Sequence, residues 1–381
     1  MEKVKLGDVC KVQGGYAFKS KEFQKDSIPI IRIGNIQDNE VEIDYNVCFT
    51  KEFLNKHPEF EIKYGDILIA MSGATVGKIG KYQNDTKALL NQRVGNFIVT
   101  EKLEKRYLYF LLQSPSFEKF ILNNAFGCAQ PNVSSKQIEE FEFYNYDNVE
   151  QIEIANQLDK VQEIIDFRKK QIQELDELIK SQFVEMFGDP FLNDKKWKTN
   201  TIGNCCTLKS GNSLSAEVEN EGGDVLYVKV GDMNLKGNEK YITTSSHKVT
   251  RKTAGKGIFE LGTILFPKRG GAIGTNKKRL TNSKVCADLN IMGVTPIKEI
   301  ISEYLFTYFL FIDLGTLNNG SSVPQINNKD IEPLIIQIPP IELQNQFVEI
   351  VKQIDKQKFE IQKSLEETQK LQESLMNKYF G

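Results

Sequence analysis

Apolar residues step by three and four through two long stretches of the chain. The first runs from about Asn148 to Phe187, where Ile154, Leu158, Val161, Ile165, Ile172, Leu175, Ile179 and Met186 form one narrow stripe, with Arg168 and Gln182 filling its gaps. The second runs from about Ile341 to Phe380 and is entered by Pro339-Pro340; Leu343, Phe347, Ile350, Ile354, Ile361, Leu365, Leu371, Leu375 and Tyr379 form its stripe. A stripe this narrow predicts the a/d seam of a coiled coil. Proline suits a helix start, and both stretches stop at a glycine, in Met186-Phe187-Gly188 and Tyr379-Phe380-Gly381. At ~1.5 Å per residue each helix is near 60 Å long, more than the width of a globule of roughly 145 residues. The two seams are therefore expected to pack on each other, antiparallel if the halves are related by a pseudo-two-fold axis. The alternative, each helix sealing its own globule, calls for a broader apolar face. The step Ile361 to Leu365 to Thr368 breaks the alternation, as a four-residue insertion would.

Ahead of each long helix the pattern changes to short β-type runs with glycine turns, such as Ile30-Ile31-Arg32-Ile33 and Asp66-Ile67-Leu68-Ile69-Ala70. Helices are then predicted over Arg106 to Leu122 and Ser302 to Leu314, followed by closing strands over Glu140 to Tyr144 and Leu334 to Ile338. The two halves are copies of one plan. Leu6-Gly7-Asp8-Val9-Cys10 matches Ile202-Gly203-Asn204-Cys205-Cys206, and Ile31-Arg32-Ile33-Gly34-Asn35-Ile36 matches Val228-Lys229-Val230-Gly231-Asp232-Met233. Gly65-Asp66-Ile67-Leu68-Ile69 through Gly73-Ala74-Thr75-Val76-Gly77 matches Gly262-Thr263-Ile264-Leu265-Phe266 through Gly270-Gly271-Ala272-Ile273-Gly274. Later blocks around Tyr107 and Tyr304, and around Pro131 and Pro324, keep the order, and the offset drifts only from about 197 to 193. The expected fold is α+β: two similar mixed α/β globules in tandem, over 1–147 and 189–340, each followed by a long helix (148–188 and 341–381), with the helices paired as an antiparallel coiled coil.

Composition narrows the class. The chain has 381 residues, 26% of them charged and 40% apolar, which suits a soluble globular protein. Its best apolar run, Tyr304 to Ile312, is under half of the ~20 residues a membrane span needs. The opening Met1-Glu2-Lys3-Val4-Lys5-Leu6-Gly7-Asp8 lacks a signal-peptide core, so a cytoplasmic location and no membrane partner are expected. Six cysteines (Cys10, Cys48, Cys128, Cys205, Cys206, Cys286) form no Cys-x-x-Cys pair, and only His57 and His247 could join them. Reduced, buried thiols are the simpler reading, and no metal site is expected.

The net charge of −2 hides an uneven distribution. Residues 248–284 hold ten basic residues against Glu260 alone: Lys248, Arg251, Lys252, Lys256, Lys268, Arg269, Lys277, Lys278, Arg279 and Lys284. The matching stretch 71–100 has Lys78, Lys81, Lys87 and Arg93 against Asp85. In both copies the charge gathers around the glycine-rich loop after the strongest strand. Glycine lets backbone approach a phosphate, and Lys or Arg releases counterions there. Arg suits guanine in the major groove and Asn or Gln suits adenine, so Asn91, Gln92, Arg93 and Asn290 are candidate base readers. For a single lysine a solvated face is the simpler explanation; ten nearly unopposed basic residues favour nucleic acid. By charge and loop position the candidate DNA contacts are Ser72, Lys78, Lys81, Asn91, Gln92 and Arg93 in the first copy. In the second they are Lys248, Arg251, Lys252, Lys256, Lys268, Arg269, Lys277, Lys278 and Arg279. The expected helix-pair contacts are Leu158, Val161, Ile165, Ile172, Leu175, Ile179, Phe347, Ile354, Ile361, Leu365 and Leu375.

Motifs for catalysis are missing. Gly73-Ala74-Thr75-Val76-Gly77-Lys78-Ile79 has three residues between its glycines where a P-loop needs four, and Ile follows the Lys. No Asn-Pro-Pro-aromatic run and no paired acidic cluster for two-metal cleavage stands out. The chain reads as a binding scaffold.

Taken together, the Lys5-Leu6-Gly7-Asp8 opening, the Gly65-Asp66-Ile67-Leu68-Ile69 strand leading into Ser72-Gly73-Ala74-Thr75-Val76-Gly77-Lys78, the Gln130-Pro131-Asn132-Val133 turn with its Val323-Pro324-Gln325-Ile326 counterpart, and the helix end Met186-Phe187-Gly188-Asp189-Pro190 carry a resemblance. Over its whole length the chain resembles the specificity subunit of type I restriction-modification systems. The resemblance implies two target recognition domains, each reading one half of a split site in double-stranded DNA, and helices that act as a spacer. It implies no activity in the chain itself. Two modification subunits using S-adenosylmethionine would methylate an adenine in each half-site, and restriction subunits using ATP and Mg would join them. Recognition domains vary within the family, so no base contact carries over. A stand-alone coiled-coil nucleic-acid adaptor is the alternative from another class, and a DNA-modifying enzyme with an unfamiliar site is a third; purified-chain binding and activity separate them.

Overall fold

A computed structural model of the protein describes residues 2–37, 39–125, 131–219, 222–297, 299–317 and 323–381. The chain divides into two compact units: Met1–Lys169 with Lys363–Gly381, and Lys170–Gln362. Each unit thus combines one globule with half of each long helix.

In the first unit a mixed sheet runs in the order Cys10–Gly14, Val94–Val99, Ile67–Ala70, Ile79–Lys81, Asn39–Val41, Ile36–Gln37. A second sheet orders Cys48–Phe49, Ile28–Ile31, Ala88–Leu90, Glu61–Ile62. The second unit repeats this with Cys206–Ser210, Ile291–Pro296, Ile264–Pro267, Arg279–Thr281, Tyr241–Ile242, and with His247–Val249, Val225–Val228, Val285–Ala287, Ile258–Phe259. Even the parallel pair inside the smaller sheet recurs, as Leu89 beside Ile30 and as Cys286 beside Tyr227. Ile67–Ala70 and Ile264–Pro267 are buried at every position, which is why they read as unbroken apolar runs. The closing strands pair antiparallel with the start of each globule, Glu142–Asn145 with Glu2–Lys5 and Ile335–Ile338 with Lys198–Thr201.

Two helix expectations change. The helix expected over Arg106 to Leu122 is two, Lys105–Leu111 and Pro115–Ala125. Pro115 supplies no N–H to the preceding turn and so starts a helix instead of continuing one. The buried hydroxyl of Ser114 accepts from the Phe117 N–H at 3.2 Å. The helix expected over Ser302 to Leu314 stops at Leu310, and Leu314–Leu317 is a 3-10 turn.

The long helices span Asn148–Phe187 and Ile341–Phe380, 40 residues each. Their equal length removes the four-residue mismatch that the broken alternation suggested. In the first unit Gln372 Nε2 donates to Gln162 Oε1 at 2.8 Å and the Tyr379 hydroxyl to Gln157 Oε1 at 2.7 Å. One number falls as the other rises, so the helix segments run antiparallel. In the second unit Lys358 meets Asp176 at 2.5 Å, and the Phe347 ring lies 5.4 Å from that of Phe187, again antiparallel.

The seams do more than face each other. Phe183, Phe187, Ile179, Phe347, Val351 and Ile354 belong to one buried cluster with Ile264, Phe266, Tyr304 and Phe309 of the second globule. In the second unit the expected choice between partner helix and globule is false, because the seam ends serve both. Leu158, Val161, Ile165, Leu365 and Leu375 are buried, Ile172, Leu175 and Ile361 half-buried, and Leu371 is exposed. Two buried glutamines fasten the helix starts. Gln151 Nε2 donates to the carbonyls of Lys102 and Tyr146 and to Asn145 Oδ1, and its Oε1 accepts from the Glu104 N–H. Gln344 does the same for the second unit, with the carbonyls of Glu299 and Pro339 and the Ile301 N–H. Five cysteines are free and buried, and Cys128 lies outside the described residues. Among the described residues no helix is long and apolar enough to cross a membrane.

Candidate nucleic-acid interface

In both units the strongest strand ends beside three other segments, and the same backbone hydrogen bonds lock them. The first unit has Met71 N to Arg93 O (2.9 Å), Val133 N to Met71 O (2.9 Å), Gly73 N to Pro131 O (2.9 Å) and Tyr16 N to Leu90 O (2.8 Å). The second has Lys268 N to Asn290 O (2.8 Å), Ile326 N to Lys268 O (2.9 Å), Gly270 N to Pro324 O (2.8 Å) and Asn212 N to Ala287 O (2.8 Å). Two glycines per copy make this possible. A Cβ on Gly15 or Gly211 would stand 2.2 Å from the carbonyl oxygen of Leu90 or Ala287, and Gly73 and Gly270 adopt φ of 78° and 71°.

On this shared frame the side chains differ: Tyr16 against Asn212, Met71 against Lys268, Ser72 against Arg269, Gln92 against Leu289, Arg93 against Asn290, Asn132 against Gln325. The register is the one the repeated motifs imply. The structure therefore brings Ser72, Asn91, Gln92 and Arg93 together. Gln92 and Arg93 are exposed, while the Ser72 hydroxyl is buried and without a partner. Tyr16 joins them, a residue 40% exposed whose ring is braced by Phe53 at 4.8 Å and Phe18 at 5.0 Å. In the second unit the half-buried Lys268 donates to Ser210 Oγ at 2.7 Å; burial and then Arg269 lower its pKa. Asn290 is turned inward, its Nδ2 donating to Asp288 Oδ1 at 2.6 Å.

The ten basic residues do not form one patch. Lys278 is buried, its ammonium donating to the carbonyls of Ile312 (2.8 Å) and Asn276 (3.2 Å) and to Asn276 Oδ1 (2.8 Å); desolvation pulls its pKa down to about 8. Arg279 is half-buried, with Nη1 and Nη2 on the carbonyls of Lys278 and Met233. Both are corrections to the charge-based expectation, and the reason is common. They follow the glycine turn back into the sheet, where cations cap carbonyls, and line a cavity of about 310 Å³ with Asp176, Lys180, Asp355 and Lys358. Lys277, in the same cavity, donates to Asn234 Oδ1. Lys81 of the first unit likewise lines a cavity of about 610 Å³ with Asp159, Glu163 and Asp166 of the long helix. Lys78 is exposed beside a cavity with Gln113 and Glu118. Lys248, Arg251 and Lys252 are exposed on and beside the His247–Val249 strand, with Arg251 Nε on Asp224 at 3.0 Å, and Lys284 pairs with Glu260 at 2.9 Å. The Lys256 side chain lies outside the described residues.

Sequence reasoning missed Tyr16, Asn212 and Gln325. A signal was present: Gly15 and Gly211 stand at one repeat offset, and each precedes a residue that differs between copies.

A family model described as the type I restriction modification DNA specificity domain matches residues 1–177 and again 194–372. The chain belongs to that family. It carries two copies of the specificity domain, and each match takes in one of the frames above together with part of a long helix. The chain is 23% identical over 399 residues to the type I restriction enzyme MjaIX specificity subunit of Methanocaldococcus jannaschii, covering 98% of this chain and 91% of that relative. A second M. jannaschii relative, the MjaVIII specificity subunit, is 29% identical over 180 residues, 46% of this chain and 42% of the relative. The Escherichia coli EcoBI specificity subunit is 27% identical over 181 residues, 47% of this chain and 36% of that one. Against the crystal structure of the type I restriction-modification S subunit from M. genitalium the TM-score is 0.57 at 16% identity, covering 100% of this chain and 96% of the other. That likeness places the fold with the specificity subunits.

Proposed function

We propose that this chain is the DNA-recognition subunit of a type I restriction-modification complex. Each unit reads one half of a bipartite duplex site through the frame at its strand ends. The chain performs no chemistry itself. S-adenosylmethionine belongs to modification subunits that dock along the long helices and methylate adenine, and ATP with Mg belongs to restriction subunits.

One observation carries this reading: the same four backbone hydrogen bonds built twice into a frame that carries different side chains. Repetition of the frame suits two similar encounters with duplex, and divergence of the side chains suits two different words. The long helices suit a spacer, because each contributes one half to either unit. The chain produced together with its modification subunits gives new methylated sites across a bacterial genome, each with two fixed words around an unread gap. Antiparallel pairing sets Ile172 near Ile361, so a four-residue insertion at both positions lengthens the pair by about one turn, ~5.4 Å. The gap then grows by one or two base pairs at ~3.4 Å each while both words stay unchanged. Methylome sequencing with and without the insertions reads this directly, and an unchanged gap refutes the spacer role.

A further inference from the structure

We infer that Arg269 is the guanine reader of the second unit and that Gln325 holds it in position. The inference rests on the DNA-recognition reading above and assigns chemistry within it. Arg269 is the second residue beyond the strand Ile264–Pro267, in extended backbone, and forms an isolated antiparallel bridge with Gln325. The hydrogen bonds Gly270 N to Pro324 O and Ile326 N to Lys268 O clamp the backbone on both sides of it.

Its side chain is held too. Arg269 Nη2 donates to Gln325 Oε1 at 3.3 Å. The orientation of that amide is set from behind, because Gln325 Nε2 donates to Asn327 Oδ1 at 2.8 Å. Asn327 is anchored in turn, its N–H donating to Asp330 Oδ2 at 2.8 Å. The chain of bonds leaves Nε and Nη1 of Arg269 without a hydrogen-bond partner among the described residues, in an exposed side chain. No carboxylate pairs with it among those residues. The other cations between 268 and 279 are engaged: Lys268 on Ser210, Lys277 on Asn234, Lys278 and Arg279 on backbone carbonyls. Gln325 takes one Nη2 hydrogen; the other still forms a two-pronged edge with Nε–H or Nη1–H, and that fork matches O6 and N7 of guanine. A lysine so placed would be a point charge suited to phosphate.

The first unit has a different pair on the same bridge, Ser72 with Asn132, and the Ser72 hydroxyl is buried. Neither residue of that bridge is an arginine; Arg93 stands on the neighbouring segment, at the position of Asn290. This contact therefore demands guanine in one half-site only, and the two words differ at the matched position.

The experiment uses the chain in complex with its modification subunits. The methylated site is mapped genome-wide for the wild type, Arg269→Ala and Gln325→Ala. Duplexes of the mapped site then carry 7-deazaguanine, which lacks the N7 acceptor, at one guanine at a time. Arg269→Ala should free a single guanine position in one half-site and leave the other half unchanged. At that position 7-deazaguanine should weaken wild-type binding roughly 5- to 150-fold and leave Arg269→Ala almost unaffected. Gln325→Ala should loosen the same position without lowering the melting temperature, which a purely structural role would not do. An unchanged site in Arg269→Ala overturns the inference. So does an even loss at all positions with a salt slope smaller by about one, the mark of a phosphate contact. If no methylated site depends on the chain, the recognition reading itself fails, and the guanine assignment with it.

Discussion

Phe347 offers a test of whether the long helices are part of the globular core or only a rod beside it. Its ring is fully buried, 5.6 Å from Phe183 and 5.4 Å from Phe187, within the cluster that also contains Phe266 and Tyr304. Replacement by alanine removes the transfer energy of a buried ring, ~1.5–3 kcal/mol, and leaves a cavity whose lining cannot fully collapse. The sum is about 3–5 kcal/mol, in line with other buried Phe to Ala changes. Phe359 stands on the same helix in the same unit but is 67% exposed, so Phe359→Ala should cost no more than ~0.5 kcal/mol. The helix propensity change is identical in the two variants, so the difference isolates burial. The chain's one tryptophan, Trp197, is in this unit and donates its indole N–H to the Phe187 carbonyl at 2.9 Å, so its fluorescence reports on this core. With a urea slope of about 2 kcal/mol/M, the Phe347→Ala midpoint should fall by about 2 M. Equal midpoints for the two variants, or a Phe347→Ala cost under ~1 kcal/mol, would refute the shared core, since a merely rod-like helix loses little from either change.

Other outcomes follow from the same packing. Gln151→Leu and Gln344→Leu strand carbonyl and N–H groups that the amides now satisfy, and each should cost about 2–4 kcal/mol, read by urea unfolding. Lys278 has a folded pKa near 8 against an ordinary 10.5, so between those values the unfolded chain holds more protons. Stability of the wild type relative to Lys278→Met should therefore rise with pH from 8 to 10, by up to ~3 kcal/mol, and a flat difference would contradict the burial of an ammonium. Burial pushes the thiols of Cys10 and Cys206 up to about 12, so at pH 8 a thiol reagent should label neither until urea is added.

The sequence carried the repeat, the limits of both long helices and the register that sets Met71-Ser72 against Lys268-Arg269. These are legible because they depend on local order: periodicity, glycine at a helix stop, and a preserved succession of short motifs. The sheets were legible only as strands, since their order joins segments dozens of residues apart. Charge was the least reliable guide. Lys268, Arg269, Lys277, Lys278 and Arg279 look alike as a string, yet Arg269 is exposed and held by a neighbour, while Lys278 is buried on three oxygen atoms. A glycine turn reverses the chain between them, and a reversal in space leaves no mark on a count of charges. The helix seams show the same division. Their spacing specified an apolar stripe, but a stripe does not name its partner. Only the folded chain determines that Phe183 and Phe347 share a core with Phe266 and Tyr304, because burial is a property of what surrounds a residue in three dimensions, and that surrounding is assembled from both ends of the second unit, Lys170–Gln362.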